Sequence, residues 1–237
     1  MTGSVLKANA RKLIFENTPK LFFISLIYVA IGAFISWFAV TLPGNIDFEN
    51  MYLRLSSGEM FSITMIYSNF RLPGVFLAIL FSLFQPIFDV GYISYCLKIN
   101  RKQETTYKDI LNGFLVFTKI LMLFITITVI VMLWSLLLII PGIIAAYKYR
   151  LAYYILLDDP TKGIMQCIKE SSVLMYGGKV DLLTIELSFV GWFLLDIFFM
   201  MLTPVPFTIP LVSIWIAPYL GLTRAGFYEE RIRTLAS

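Results

Sequence analysis

Three carboxylates and two cations of this chain stand inside long apolar runs: Asp89, Glu186 and Asp196 against Lys148 and Arg150. Side chains of these types can do three things in an oily setting. They can neutralise one another as ion pairs, they can hold a solute, a cation or a proton, or they can work as an acid–base couple. Chemistry that needs histidine is excluded, because the chain has none. That removes Ser-His-Asp and Cys-His nucleophile systems, H-E-x-x-H zinc sites and histidine proton switches. Cys96 and Cys167 lack CxxC spacing and read as packing thiols on a side where thiols stay reduced. No nucleophile, metal-ligand set or glycine-rich phosphate loop accompanies the carboxylates, so neither a metal nor a cofactor is expected.

Position along each apolar run sets the depth of each charge. Arg150 lies near the middle of its segment. Asp89 and Glu186 lie roughly 6 to 8 Å from the midplane toward the cytoplasm, by helix rise. Asp196 lies in the outer half, nearer the level of Lys148. The expected pairs are therefore Arg150 with Asp89 or Glu186, through the planar guanidinium fork, and Lys148 with Asp196. Three acids against two bases leave one acid to protonate, bind a cation or face water. Tyr92, Tyr95, Tyr147 and Tyr149 are within reach as hydroxyl donors.

The elements that must carry these groups follow from composition. Of 237 residues, 59% are hydrophobic and 14% charged, against about half and a quarter in soluble domains. The mean hydropathy is +0.81. This predicts an all-α, polytopic membrane helical bundle, a single domain over 1–237, with about six transmembrane helices. The spans read as 21–42, 73–99, 120–140, 143–157, 182–202 and 207–228. Amphipathic interfacial helices read over 4–17, 106–116 and 160–176. The first span is too long for a signal-peptide core and stays in the mature protein.

Local signals mark the ends. Asn17-Thr18-Pro19 breaks the basic helix 4–17, which reads as an arm on the inner leaflet with Leu6, Ala10, Leu13 and Ile14 on one face. Pro43-Gly44 ends the first span. The loop to Leu72 is slightly acidic, with an apolar stretch over 60–67 suited to the outer surface. Pro86 should kink the second span. Thr106-x-x-Asp109 resembles a capping box. Pro141-Gly142 marks a helix break. The following segment, 143–157, reaches only about 22 Å, so that turn sits below the outer surface or the bilayer thins. Asp158-Asp159-Pro160 reads as a cap followed by proline at the first helical position, and Gly177-Gly178 as the stop. Residues 203–206 read as a tight, proline-rich turn.

Orientation comes from the cations. With both termini inside, fifteen of the 19 Lys and Arg residues fall to inner segments and only Arg54 and Arg71 to outer loops. The same bias requires 143–157 to cross, because a re-entrant loop would put Lys162, Lys169 and Lys179 outside. Basic residues flank apolar runs rather than forming one stripe, so nucleic acid is not an expected partner.

Several phrases go beyond pattern. They are Pro141-Gly142-Ile143 to Tyr147, Ala152-Tyr153 to Asp158 with Pro160, Ser171 with Met175 and Gly177, Phe189-x-Gly191-Trp192, Pro218-Tyr219, and Ala225 to Phe227-Tyr228-Glu229-Glu230. Asp89-Val-Gly91 and Arg101 to Gly113-Phe114 fit the same set. Together they resemble a family of bacterial, mainly Gram-positive, six-span integral membrane proteins known as a domain of unknown function. The resemblance covers most of the chain, implies a location in the bacterial cell membrane and agrees with the topology read from the charges. It implies no activity, substrate or site residue. Arg150 departs from the small polar residue the resemblance implies there, so it is a poor carrier of a family-wide function.

The reading that follows is a non-enzymatic accessory or partner-binding membrane protein. Its partners are the lipid bilayer and another membrane protein or a second copy. The alternative is a small transporter or permease using the Asp89, Arg150 and Glu186 region, and the third is an intramembrane lipid-modifying enzyme. A dry core with an exposed helix face marks the first, a water-accessible cavity at the charges the second, and a lateral opening beside paired carboxylates the third.

Overall fold

A computed structural model describes residues 3–17, 20–41, 56–57, 72–202 and 210–236. Among them every regular element is a helix. Pro43-Gly44, the loop stretch 60–67, Thr18-Pro19 and the turn 203–206 lie outside the described residues. The chain divides into two compact units, Met1–Ala30 with Pro86–Ser237, and Ile31–Gln85.

In chain order the helices are α1 (Gly3–Asn17), α2 (Lys20–Thr41), α3 (Leu72–Ser82) and α4 (Gln85–Asn100). A 3-10 helix follows over Tyr107–Val116. Then come α5 (Phe117–Leu137), α6 (Ile139–Lys148), α7 (Ala152–Asp158), α8 (Ile164–Leu174), α9 (Lys179–Leu202) and α10 (Leu211–Ala236). Among the described residues four stretches are long and apolar enough to cross a membrane: Lys20–Ala39, Gly74–Asn100, Tyr107–Leu137 and Lys179–Phe199.

The smaller unit holds the second half of α2 and α3, joined by the rings of Phe38 and Phe81, 4.3 Å between centroids. In the expected span 73–99 the helix is interrupted at Leu83–Phe84, where Phe84 bonds back only three residues, to Phe81, at 3.0 Å. Pro86 brings no N–H for the carbonyl four residues before it, so the regular ladder ends there and α4 restarts with the proline in its first turn.

The larger unit is held by close backbone approaches. A Cβ on Gly91 of α4 would come within 1.8 Å of the Ile110 carbonyl oxygen, and one on Gly113 within 2.1 Å of the Ile87 oxygen. The two glycines let α4 and the 3-10 helix touch backbone to backbone. Asp109 anchors the start of that helix, accepting the Thr106 N–H at 2.7 Å and the Lys98 ammonium at 2.6 Å.

The break expected at Pro141-Gly142 falls instead at Leu138, a single extended residue (φ −160°, ψ 148°) between α5 and α6. The physical reason lies in the proline itself. Its ring would collide with the carbonyl four residues earlier, that of Leu137, so the helix stops at Leu137. Pro141 and Gly142 then sit in the first turns of α6, where a missing N–H costs nothing. Gly142 lets the hairpin close, since a Cβ there would lie 2.1 Å from Ser135 Oγ.

The expected helix 143–157 is also two pieces, parted at Tyr149–Leu151. Arg150 and Ala152 bond back three residues, to Tyr147 and Tyr149. That frees the Lys148 carbonyl, which accepts Ser171 Oγ of α8 at 3.0 Å. The returning chain nonetheless runs the length of α5, because Lys119 at the start of α5 donates to the carbonyls of Pro160 and Lys162.

Helix α8 starts at Ile164, four residues after the expected position. Asp159 does not cap it. Its carboxylate accepts the Thr161 N–H at 3.0 Å and the Thr161 hydroxyl, which closes a local turn and holds the Asp159 carboxyl below its ordinary range. The stop at Gly177 is real, with φ +74°. Helix α10 runs to Ala236, well beyond the expected end at 228, and lies antiparallel to α9, with Asp196 at Val212 and Ser213 and Glu186 at Arg224. Helix α1 packs onto the bundle through the expected face: Leu6 and Ala10 are buried, Lys7 donates to Ser188 and covers the Phe189 ring, and Leu6 reaches Gly226 of α10.

Candidate functional site

Antiparallel helices bring residues far apart in sequence to one level, and the polar side chains of the larger unit gather in tiers for that reason. At the end of α4 the Arg101 guanidinium grips Asp158, the last residue of α7, by two parallel bonds of 2.7 and 2.9 Å. It also donates to Glu229 of α10 at 2.7 Å. Tyr228 adds its hydroxyl to Asp158 at 2.8 Å. This fork-on-carboxylate geometry is the strong form of an ion pair. The Asp158 bond, joined by Glu229, holds Arg101 above its ordinary value. One side chain thereby ties α4, α7 and α10.

One level deeper, Glu186 of α9 is ringed by donors. Arg224 of α10 gives its Nε at 2.7 Å, Tyr147 of α6 its hydroxyl at 2.7 Å, and Arg150 of the α6–α7 turn its guanidinium at 3.4 Å. The Glu186 side chain is only 15% exposed. On the other side of this level, antiparallel α2 and α4 meet. Tyr28 donates to Asp89 at 2.9 Å, Ser25 and Tyr92 share a bond of 2.8 Å, and the Tyr28 and Tyr92 rings stack at 4.3 Å. Tyr153 lies in the field of both Asp89 and Arg150. Two guanidinium groups and two carboxylates thus balance at one level.

The third tier is at the far end of α9. Asp196, 5% exposed, accepts the backbone N–H groups of Val212 and Ser213 at 2.8 Å each, and the Ser213 hydroxyl. It caps the N-terminus of α10, where a carboxylate satisfies otherwise orphaned donors and complements the helix dipole.

Of the expected pairs, Arg150 with Glu186 forms. Lys148 with Asp196 does not. Lys148 rests on the ring of its neighbour Tyr149, 5.5 Å from the centroid, and Asp196 is taken up by the α10 backbone. Arg224, which reads from the sequence as an inner-side charge, joins Arg150 on Glu186, while Asp89 takes the Tyr28 hydroxyl. The level of Arg224 was hidden because α10 continues to Ala236, about 18 Å further on by helix rise. The Arg101, Asp158 and Glu229 cluster was missed as a unit, since Asp158 read as a helix cap. Both cysteines are free and buried.

These residues fall largely in one part of the chain. Residues 136–236 match the family described as "Protein of unknown function (DUF975)". The match takes in Arg150, Asp158, Glu186, Asp196, Arg224 and Glu229, and leaves Asp89 and Arg101 outside it. Comparison with curated proteins and with solved structures finds no match.

Proposed function

We propose that this chain is a non-enzymatic, six-pass protein of the cell membrane, with both termini cytoplasmic, that works by binding another membrane protein. The pass count rests on antiparallel pairing. If α5 and α9 cross, then 138–158 and α10, which return along them from end to end, cross as well. The intramembrane ions act as fasteners: Glu186 already accepts from three donors, and Asp196 from the start of α10.

The observation that carries the partner is the tip of the α5–α6 hairpin. Leu136 to Ile140 are each 68 to 76% exposed, and Ile120 and Leu123 are the residues of α5 that are buried. Such a tip is too apolar for water. Its backbone is also unsuited to bare lipid, because Pro141 has no N–H to give the Leu137 carbonyl, and irregular backbone at membrane depth is tolerated where protein covers it. A protein surface over the tip answers both demands.

A photo-crosslinking residue at Ile139, in the full chain in its native membrane, tests this. A discrete adduct with a second membrane protein is expected. Adducts confined to lipid or to this chain itself contradict it. One observation favours transport as the second reading: Arg150 is 45% exposed and sits in a break of the returning helix, and transporters build their substrate sites at discontinuous helices.

A further inference from the structure

Beside the Arg101 tier, α1, the end of α4 and the end of α10 enclose a cleft of about 310 Å³. Leu6, Leu13 and Gly226 line its apolar side, and Lys12, Lys102 and Arg233 its rim. The acids at the same rim are accounted for. Glu229 is held by Arg101 at 2.7 Å, Glu16 lies 3.9 Å from Lys12, and Glu230 is engaged. Lys102 and Arg233 make no ion pair with any described residue.

Lys102 is unusual in its backbone. It adopts φ +54°, the left-handed conformation that residues with a Cβ avoid. The chain needs that conformation here. Gln103 N–H bonds to the Lys98 carbonyl at 2.9 Å and Lys102 N–H to that of Ile99 at 3.0 Å, the paired closure of a helix that usually places glycine at this position. A lysine thus stands at a position where glycine is usual, and it lines the cleft.

We infer that this cleft binds a phosphate ester, with the Arg233 fork and the Lys102 ammonium on the phosphate and Leu6 and Leu13 against the apolar remainder. A guanidinium matches two phosphate oxygens at once, and an ammonium adds a point charge. The headgroup of an anionic phospholipid presents both halves, a phosphate joined to acyl chains. Arg11 of α1 adds to the juxtamembrane positive field that draws such lipids. The lipid source rests on the membrane reading above; the phosphate chemistry does not.

The test uses the full chain, delipidated in detergent, with short-chain phosphatidylglycerol, short-chain phosphatidylcholine and inorganic phosphate as separate probes. Binding is read by native mass spectrometry and by the thermal midpoint. Phosphatidylglycerol should bind and raise the midpoint, and phosphatidylcholine should do so at least tenfold more weakly. Arg233→Gln should weaken phosphatidylglycerol roughly tenfold, the loss of a charge-assisted bond. Lys102→Gly should raise the midpoint without lipid, by releasing the strain, and still weaken binding. A shift by inorganic phosphate with the same dependence on Lys102 and Arg233 assigns the site to free phosphate. Equal binding by wild type and both variants, or no binding of either phosphate probe, overturns the inference. Failure of the crosslink at Ile139 leaves all of these outcomes unchanged.

Discussion

Glu186 shows what a buried carboxylate requires. Its desolvation is offset by Arg224 and Arg150 and by the Tyr147 hydroxyl, so removing the nearest partner leaves a charge without its match. Arg224→Met should therefore destabilise the protein by about 3 kcal/mol, and adding Glu186→Gln should restore most of that. In a double-mutant cycle read by unfolding in detergent, a coupling of about 1 to 3 kcal/mol is expected; strictly additive losses would show that the pair does not form. The presence of costly ions was plain from the sequence, because five charges interrupt apolar runs. Their partners were not plain. A residue's membrane depth depends on where its helix ends, and α10 reads as finishing at Tyr228 because the next residues are polar. On that account Arg224 reads as an inner-side charge. Lys148 and Asp196 stand at similar depth, but depth says nothing of which way a side chain points.

The elements were legible in kind and less so in their ends. Apolar runs of about twenty residues gave α2, α5 and α9 within a few residues, since length and composition decide them. Proline misled by position. Pro86 and Pro141 were read as the places where helices bend or break, whereas each sits in the first turn of a new helix and the interruption comes two or three residues earlier. Clash with a preceding carbonyl, not the proline's own conformation, sets that offset. The hairpin of α5 and α6 gives a matched pair of predictions. Gly142→Ala puts a methyl group into Ser135 and should cost about 1 to 3 kcal/mol. Pro141→Ala, in a first turn, should change stability by less than about 0.5 kcal/mol. Thermal midpoints of the two variants in the same detergent decide it: the reverse order would place the break at Pro141-Gly142 after all. The glycine contacts of α4 with the 3-10 helix were beyond the sequence alone, because nothing local says that Gly91 and Gly113 face each other's backbone partners.

At the scale of the molecule, pairing and passage are one question. Glu186 can meet Arg224 and Arg150 only if α10 and the broken segment 139–158 lie at the depth of α9. Composition alone finds four crossing helices, since α10 carries charges and 139–158 is interrupted. The six passes proposed above rest on the positive-inside count and on the antiparallel pairing of α5 with 139–158 and of α9 with α10. In the six-pass arrangement proposed above, the Arg101, Asp158 and Glu229 tier falls at the cytoplasmic boundary, with the hairpin tip and Asp196 toward the other. The measurement that bears on this most directly is the labelling of single cysteines by a membrane-impermeant thiol reagent, with Cys96 and Cys167 replaced by alanine. Cysteines at Lys162 and Thr234 should react only after the membrane is opened, and one at Arg71 should react in intact cells. Labelling of the Lys162 position from outside would mean that 139–158 does not cross, and the six-pass account would be wrong.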